Sequence, residues 1–238
     1  MLLFPLRHLF AAALTLTPLL AMAQVSPAIC GSLDNGGNGP FDYRVVRGRE
    51  LKVVEDFHFN AKVEALVAGQ SGTIGDDLSY VLRVFPNHHR ALVAATRLAK
   101  RSKSPTAAHM PLPMECYYER AVRFRPDDTV ARLLFAGYLN DLKRPDEAVQ
   151  QLDRAIELAS DNPFTQYNAG LVFAEMNLFD RALQQAHKAQ RLGFMRPELK
   201  QKLQAAGKWV DPPDEAAAAA AATDAASAAA ATASAPGS

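Results

Sequence analysis

Residues 163–192 read PFTQYNAGLVFAEMNLFDRALQQAHKAQRL, and residues 129–158 read TVARLLFAGYLNDLKRPDEAVQQLDRAIEL. The two stretches begin 34 residues apart (129 to 163), and at this offset their small residues coincide: Ala136 with Gly170, Ala148 with Ala182, and Ala155 with Ala189. A fixed period of this length is typical of stacked helical hairpins. The repeated stretch therefore predicts an all-α fold built from antiparallel helix pairs.

Local signals predict where these helices begin and end. Asp128 is an N-cap residue, and Asn162 followed by Pro163 combines an N-cap with a first-turn proline. Asn177 tolerates the left-handed backbone that a tight turn requires. The signals predict four helices, at about 129–142, 146–159, 163–176 and 179–192.

Both stretches resemble tetratricopeptide repeats. The matching residues of the later copy, 163–196, are Tyr167, Asn168, Ala169, Gly170, Phe173, Phe179, Asp180, Arg181, Ala182 and Ala189. The earlier copy, 129–162, keeps Ala136, Leu139, Pro145, Asp146, Glu147, Ala148, Ala155, Asp161 and Asn162, and a degenerate copy at 87–128 keeps Ala121 and Pro126. The resemblance implies a right-handed superhelix of helix hairpins over 57–210, with a C-terminal capping helix at 197–206.

The same resemblance implies that a protein or peptide binds on the concave face, which the first helix of each hairpin lines. The candidate contact residues in this register are Leu133, Asn140, Asp141, Phe164, Tyr167, Leu171 and Glu175. Phe164 and Tyr167 are the best anchors, because aromatic side chains in grooves often dominate binding energy. The alternative is that both rings pack against the neighbouring repeat. The family's grip on a peptide carboxylate, through Lys and Asn, is not reproduced at Gln166, Asn168 or Leu171.

The two ends of the chain differ from this helical region. Residues 1–23 combine a basic start, an apolar run and a small-x-small pattern ending at Ala23, which predicts a secretory signal cleaved after Ala23. The apolar run is shorter than the roughly 20 residues that span a bilayer, so we expect a periplasmic protein without stable membrane insertion. Residues 24–56 are predicted to be irregular. The alanine-rich residues 211–238 are predicted to be a disordered tail, since they offer no large apolar side chain to bury.

The charge balance limits the class of partner, and the cysteine content predicts a covalent cross-link. The chain has 26 Lys and Arg residues against 25 Asp and Glu residues, and this balance argues against a nucleic-acid partner. Its two cysteines are Cys30 and Cys116. An even count in an exported protein predicts a disulfide, which would tie the N-terminal segment to the helical body. The alternative is two free thiols.

Histidines are the other residues whose side chains are able to catalyse a reaction or bind a metal ion. The sequence contains no HExxH, GxSxG, GxGxxG or phosphate-loop pattern, so we expect a non-enzymatic protein without cofactor, metal or catalytic residues. The alternative is a metal-binding or hydrolytic protein with a site around His58, His88 and His89. His88 and His89 are adjacent and point to different sides of a helix, unlike a chelating pair four residues apart. Convergence of these rings with a carboxylate in a pocket would favour the alternative.

Overall fold

The all-α fold class is confirmed. A computed structural model describes residues 29–194 and 196–212, and within these ranges it contains ten helices and no strand. None of these helices is long and apolar enough to cross a membrane. The predicted signal at 1–23 and the predicted tail from residue 213 onward lie outside the described residues.

The helices follow one another with short connections. Their bounds are α1 Arg49–His58, α2 Ala61–Glu64, α3 Ile74–Val84, α4 His89–Ser102, α5 Met114–Phe124, α6 Thr129–Asp141, α7 Pro145–Leu158, α8 Pro163–Glu175, α9 Phe179–Arg191 and α10 Pro197–Ala205. The predicted caps are present: the Asp128 side chain accepts from the Ala131 N–H, and the Asn162 side chain accepts from two first-turn N–H groups of α8.

Helices α6 and α7 form one hairpin, and α8 and α9 form a second. Ala136, Ala148, Ala155, Ala182 and Ala189 are all buried, as the repeat pattern predicts. Gly170 shows why these positions must be small. A Cβ atom placed there would lie 2.6 Å from Leu199 Cδ2 and 3.3 Å from the Ala182 carbonyl oxygen. The two helices of a hairpin, and α10 beyond them, therefore approach closely at residues with little or no side chain.

Alternate helices lie side by side in a row, with α4 against α6, α6 against α8, and α8 against α10. Within the described residues the last helix of the row is α10, whose Leu199 and Leu203 are almost fully buried. Helix α10 thus covers the apolar side of the last hairpin, which would otherwise face water. Helix α5 joins this body through α4 and α6.

The prediction of irregular backbone up to residue 56 is wrong at its C-terminal end, where α1 occupies Arg49–His58. Leu51 and Val54, three residues apart, are the buried residues of this helix and face the same side. The rest of its surface is polar, so the apolar signal for helix is weak. The helical body therefore begins at residue 49 rather than at 57.

The segment before α1 is held in place by its own side chains. Phe41 packs against Phe85 with ring centroids 5.6 Å apart, and Tyr43 stacks on His88 at 4.0 Å. The buried Asp42 carboxylate between them accepts hydrogen bonds from Arg44 and Asn87 and forms an ion pair with Arg125 at 3.0 Å. The segment therefore packs as part of the helical body.

The predicted disulfide is confirmed. Cys30 and Cys116 are bonded, with Cα atoms 5.0 Å apart, and no free cysteine is present in the described part of the chain. The bond joins the start of the described chain to the first turn of α5. Both residues are fully buried.

Candidate functional site

An open groove runs between α4 and α6. It encloses about 230 Å³, and its lining residues are Glu64, His89, Arg90, Val93, Ala94, Arg97, Val130 and Leu134, which together define the α4–α6 groove. Val93 is 40% exposed and Val130 is 41% exposed, although both are apolar. The structure therefore leaves two solvent-exposed valines in the lining of this groove.

The helical repeat explains how α6 supplies its side of the groove. Val130, Leu134, Gly137 and Asp141 follow one another at spacings of four, three and four residues, so they share one face of the helix. A Cβ atom at Gly137 would meet nothing within 4 Å, which shows that this face is open. On α4, Arg90, Val93 and Arg97 share a face at the same spacings.

The rim of the groove is mainly cationic. Arg90 pairs with Glu64, and the hydrogen bond from Arg90 holds the pKa of the Glu64 carboxyl below its usual value. Arg97 is exposed at the rim. Lys100 and Asp141 join α4 to α6 through an ion pair of 2.6 Å. The acids at the rim already have basic partners, so the surplus charge of the groove is positive.

Three predicted contact residues lie on α6, and one of them is in the wrong register. Leu133 is buried, and its neighbour Leu134 lines the groove instead. Consecutive helical residues differ by about 100° in direction, so an error of one position turns a side chain from surface to core. Asn140 is partly exposed, and Asp141 is exposed but paired with Lys100.

The two predicted aromatic anchors on α8 pack against the chain that leads into α10. Phe164 is 58% exposed, and its ring lies 4.5 Å from that of Phe194. Tyr167 is buried, contacts the edge of Phe194 at 5.0 Å, and donates a hydrogen bond of 2.9 Å to Glu198. Burial and the Glu198 carboxylate raise the pKa of Tyr167. Tyr167 is therefore buried rather than exposed, and its role as a binding anchor stays a prediction.

Of the last two predicted contacts, Glu175 lies close to α10. Leu171 is partly buried against the core, and Glu175 is exposed with its carboxylate 3.3 Å from the Lys202 ammonium. The seven predicted residues therefore do not form one surface. On α6, Leu133 is buried and Asp141 pairs with Lys100 of α4, whereas on α8 Tyr167 and Glu175 contact α10.

Each of the three histidines has its own carboxylate partner. The distances are 2.9 Å for His58 to Asp77, 3.2 Å for His88 to Glu55 and 2.9 Å for His89 to Asp128. His88 is fully buried, and burial together with the charge of Arg90 lowers its pKa to about 3. Its Nδ1 accepts from the Ala91 N–H, so the neutral ring has Nε2–H available for Glu55.

These pairs do not converge on one centre. Across residues 29–194 and 196–212, no group of three or more His, Cys, Asp or Glu side chains is placed to hold a metal ion. Asp128 also caps α6, and Asp77 accepts from the Gln70 and Ser71 N–H groups. The histidine pairs thus join helices and loops.

The sequence reasoning missed Val93, Arg97, Val130 and Leu134. A signal for them exists in the sequence: α4 and α6 carry apolar residues beyond those needed for one buried stripe. Which of these apolar residues remain on the surface depends on the face of each helix that its neighbour covers. That face is set by how α4 packs on α6.

The chain matches no protein-family model and has no significant match among curated proteins. What the α4–α6 groove can do is therefore judged from its own chemistry. An apolar floor with a cationic rim suits a ligand that offers apolar and acidic groups together.

Proposed function

We propose that the protein is a non-enzymatic, tetratricopeptide-like scaffold of the periplasm that binds a protein segment rich in apolar and acidic residues in the α4–α6 groove. The observation that carries this proposal is the exposure of Val93 and Val130 beneath Arg90 and Arg97. Burying exposed valines against an apolar partner is favourable. The arginine rim selects among apolar segments for those that carry carboxylates.

Three further observations support the scaffold. The hairpins α6–α7 and α8–α9 stack through buried alanines, and α10 closes the row, as the resemblance to tetratricopeptide repeats implies. A groove that runs between two neighbouring helices suits an extended or helical segment. The Cys30–Cys116 disulfide supports export to an oxidising compartment, together with the signal pattern in the sequence.

The alternative of a metal-binding or hydrolytic site draws less support from the histidine geometry. His58, His88 and His89 each contact a different carboxylate, and His88 is sealed from solvent. A hydrolytic site needs an open position where substrate and water meet a reactive group. Of these three histidines only His89 lines the α4–α6 groove, and its ring is hydrogen-bonded to Asp128.

A selection from a library of random displayed peptides tests the proposal. The bait is the oxidised, exported protein, and we expect enrichment of peptides that combine leucine or aromatic residues with Asp or Glu. Val130→Asp places a buried negative charge under such a peptide, so we expect at least about tenfold weaker binding. The matched control is Val53→Asp on α1, because Val53 is also an exposed helical valine and lies outside the groove.

The two variants also decide the outcome. Selected peptides that bind wild-type, Val130→Asp and Val53→Asp proteins equally would place the binding surface elsewhere and reject the groove. Arg97→Glu adds a test of charge: it should weaken acidic peptides and leave neutral apolar ones largely unchanged. Circular dichroism of each variant establishes that the helical content is intact.

A further inference from the structure

A second cavity lies between the N-terminal segment and helices α3 and α5. It encloses about 440 Å³, and its wall includes Ser32 and the disulfide-bonded Cys30, Ser79 and Arg83 of α3, and Tyr117 and Arg120 of α5. The proposed scaffold function does not use this cavity, which shares no lining residue with the α4–α6 groove. Two of its polar side chains are almost fully buried, and among the described residues one has no hydrogen-bond partner and the other has no carboxylate partner.

The first is Tyr117, which is 3% exposed and lines the cavity. Its hydroxyl has no hydrogen-bond partner within 3.5 Å among the described residues, and the nearby Leu112 backbone lowers its pKa by less than burial raises it. Burial raises the pKa of Tyr117 to about 12, so the hydroxyl keeps its proton and can donate. Its neighbour Tyr118 is buried as well, but its hydroxyl lies 2.7 Å from the Thr96 hydroxyl.

The second is Arg120, which is 6% exposed. Its Nη1 donates to the carbonyl oxygens of Cys30 and Ser32, which are neutral acceptors. Within the described residues, no carboxylate lies within 4.0 Å of this guanidinium, and the adjacent Glu119 pairs with Arg123 instead. Burial and the charge of Arg123 lower the pKa of Arg120, the signature of a cation without a close counter-ion. A buried charge of this kind is costly unless an anion compensates it.

We propose that this cavity binds a small organic monocarboxylate, with Arg120 pairing with the carboxylate and Tyr117 donating a hydrogen bond to it. Arg83 adds a second cation at the wall. Ile29, Pro111 and Leu112 give the ligand an apolar surface for its hydrocarbon part. Asp76, whose pKa is lowered by hydrogen bonding with Thr73, also lines the cavity and disfavours ligands with a second negative charge.

Thermal unfolding of the oxidised, exported protein tests the proposal with acetate, hexanoate and phenylacetate as probes. We expect the melting temperature to rise with the concentration of at least one of these acids and to stay constant with its neutral amide. Phenylacetamide is the matched control for phenylacetate, because it keeps the ring and loses the charge. No shift with any of the three acids, or equal shifts with acid and amide, would overturn the proposal.

Adjacent tyrosines provide the decisive variants. Tyr117→Phe removes a hydroxyl without a partner, so the ligand-free melting temperature should hold or rise, while affinity for the carboxylate falls at least about tenfold. Tyr118→Phe removes a satisfied hydroxyl, so it should lower the melting temperature and keep the carboxylate response. If Tyr117→Phe destabilises the free protein as Tyr118→Phe does, or keeps the carboxylate response, the assignment is wrong.

Arg120→Gln should abolish the response, but it also removes the bonds that hold Cys30 and Ser32. Tyr117→Phe therefore carries the conclusion if the Arg120 variant fails to fold. Val130→Asp in the α4–α6 groove should leave the carboxylate response unchanged, so failure of the scaffold proposal and failure of this one are separable.

Discussion

The two halves of the helical body are held together in different ways. In the repeat half, residues 129–192, contacts form between helices that are neighbours in sequence, and buried alanines and Gly170 let them approach. In the N-terminal half, residues 29–125, groups far apart in sequence are joined by a disulfide, by Arg120 bound to the carbonyls of Cys30 and Ser32, and by the ion pair between Asp42 and Arg125.

The difference follows from the regularity of the helices. Helices α6 to α9 are similar in length and have short turns, so one small-residue pattern fits every interface. Helices α1 to α5 vary in length, and a longer connection at residues 103–113 separates α4 from α5. Where the surfaces of helices match poorly, polar and covalent cross-links replace part of the close packing. The N-terminal half should therefore be the more sensitive to reduction and to acid.

Removal of the disulfide should have the largest effect. The bonded cysteines are 86 residues apart, and in the chain-entropy model a loop of this length stabilises the folded state by about 4–5 kcal/mol. We expect the double variant Cys30→Ala and Cys116→Ala to lose stability of this order in denaturant unfolding. The loop closes around α1 to α4 and leaves α6 to α10 outside it.

Hydrogen exchange resolved by peptide shows where that loss occurs. Amides of α1 to α4 should lose protection in the double variant, whereas amides of α6 to α9 should keep most of theirs. Wild-type protein treated with a reductant should behave in the same way. An equal loss of protection in both halves would mean that the two halves unfold as one unit.

A large side chain at Gly170 should break the repeat half instead. Even a Cβ there would lie 2.6 Å from Leu199 Cδ2, and Leu199 is itself buried, so Gly170→Leu should cost about 3 kcal/mol through overpacking. The same substitution at Gly137, where a Cβ meets nothing within 4 Å, should stabilise α6 by about 0.5 kcal/mol through helix propensity. Chemical denaturation of both variants measures the difference, and equal effects would contradict the close-approach argument.

The two halves also differ in how much the sequence predicts of them. Caps such as Asp128 and the 34-residue period locate α6 to α9 almost to the residue, because local signals and packing agree there. Helix α1 was missed, since only Leu51 and Val54 mark its buried face. The pairing of Cys30 with Cys116 was predictable because no other cysteine is available.

The sites were harder to predict than the helices. Tyr167 is an aromatic residue of the kind that often anchors a partner, yet its hydroxyl bonds to Glu198 of α10, which lies 31 residues further along the chain. Among the described residues the hydroxyl of Tyr117 has no hydrogen-bond partner, and it lines a cavity between α5 and the N-terminal segment. The burial of Tyr167 and the environment of the Tyr117 hydroxyl depend on packing between segments that are distant in sequence. No local pattern in the sequence predicts such packing.

Acid should destabilise the N-terminal half through His88. Burial and the charge of Arg90 lower its pKa to about 3 in the folded state, against 6.5 for an ordinary histidine. Below pH 6.5 the unfolded chain therefore binds a proton that the folded chain does not, so this contribution is fully present above pH 6.5 and is lost as the pH falls towards 3. At pH 5 the loss should be about 2 kcal/mol, at 1.36 kcal/mol per pH unit.

The contribution of His88 is isolated by comparing how steeply the free energy of unfolding falls with pH, rather than its absolute value at one pH. In His88→Asn the side-chain oxygen can still accept from the Ala91 N–H at the start of α4, so the cap is kept while the titrating ring is removed. The variant leaves a gap against Tyr43 and Phe59, and its stability at pH 7 should be lower for that reason. Its stability should nevertheless fall less steeply than that of the wild type between pH 6.5 and 5.

Two buried carboxylates titrate outside this pH window. Hydrogen bonds from Arg44 and His89 lower the pKa values of Asp42 and Asp128 despite burial, so their contribution to stability is lost only below about pH 4. Identical slopes for the two proteins would mean that the buried ring takes up its proton in the folded state as readily as in the unfolded chain, and His88 would then contribute nothing to acid sensitivity.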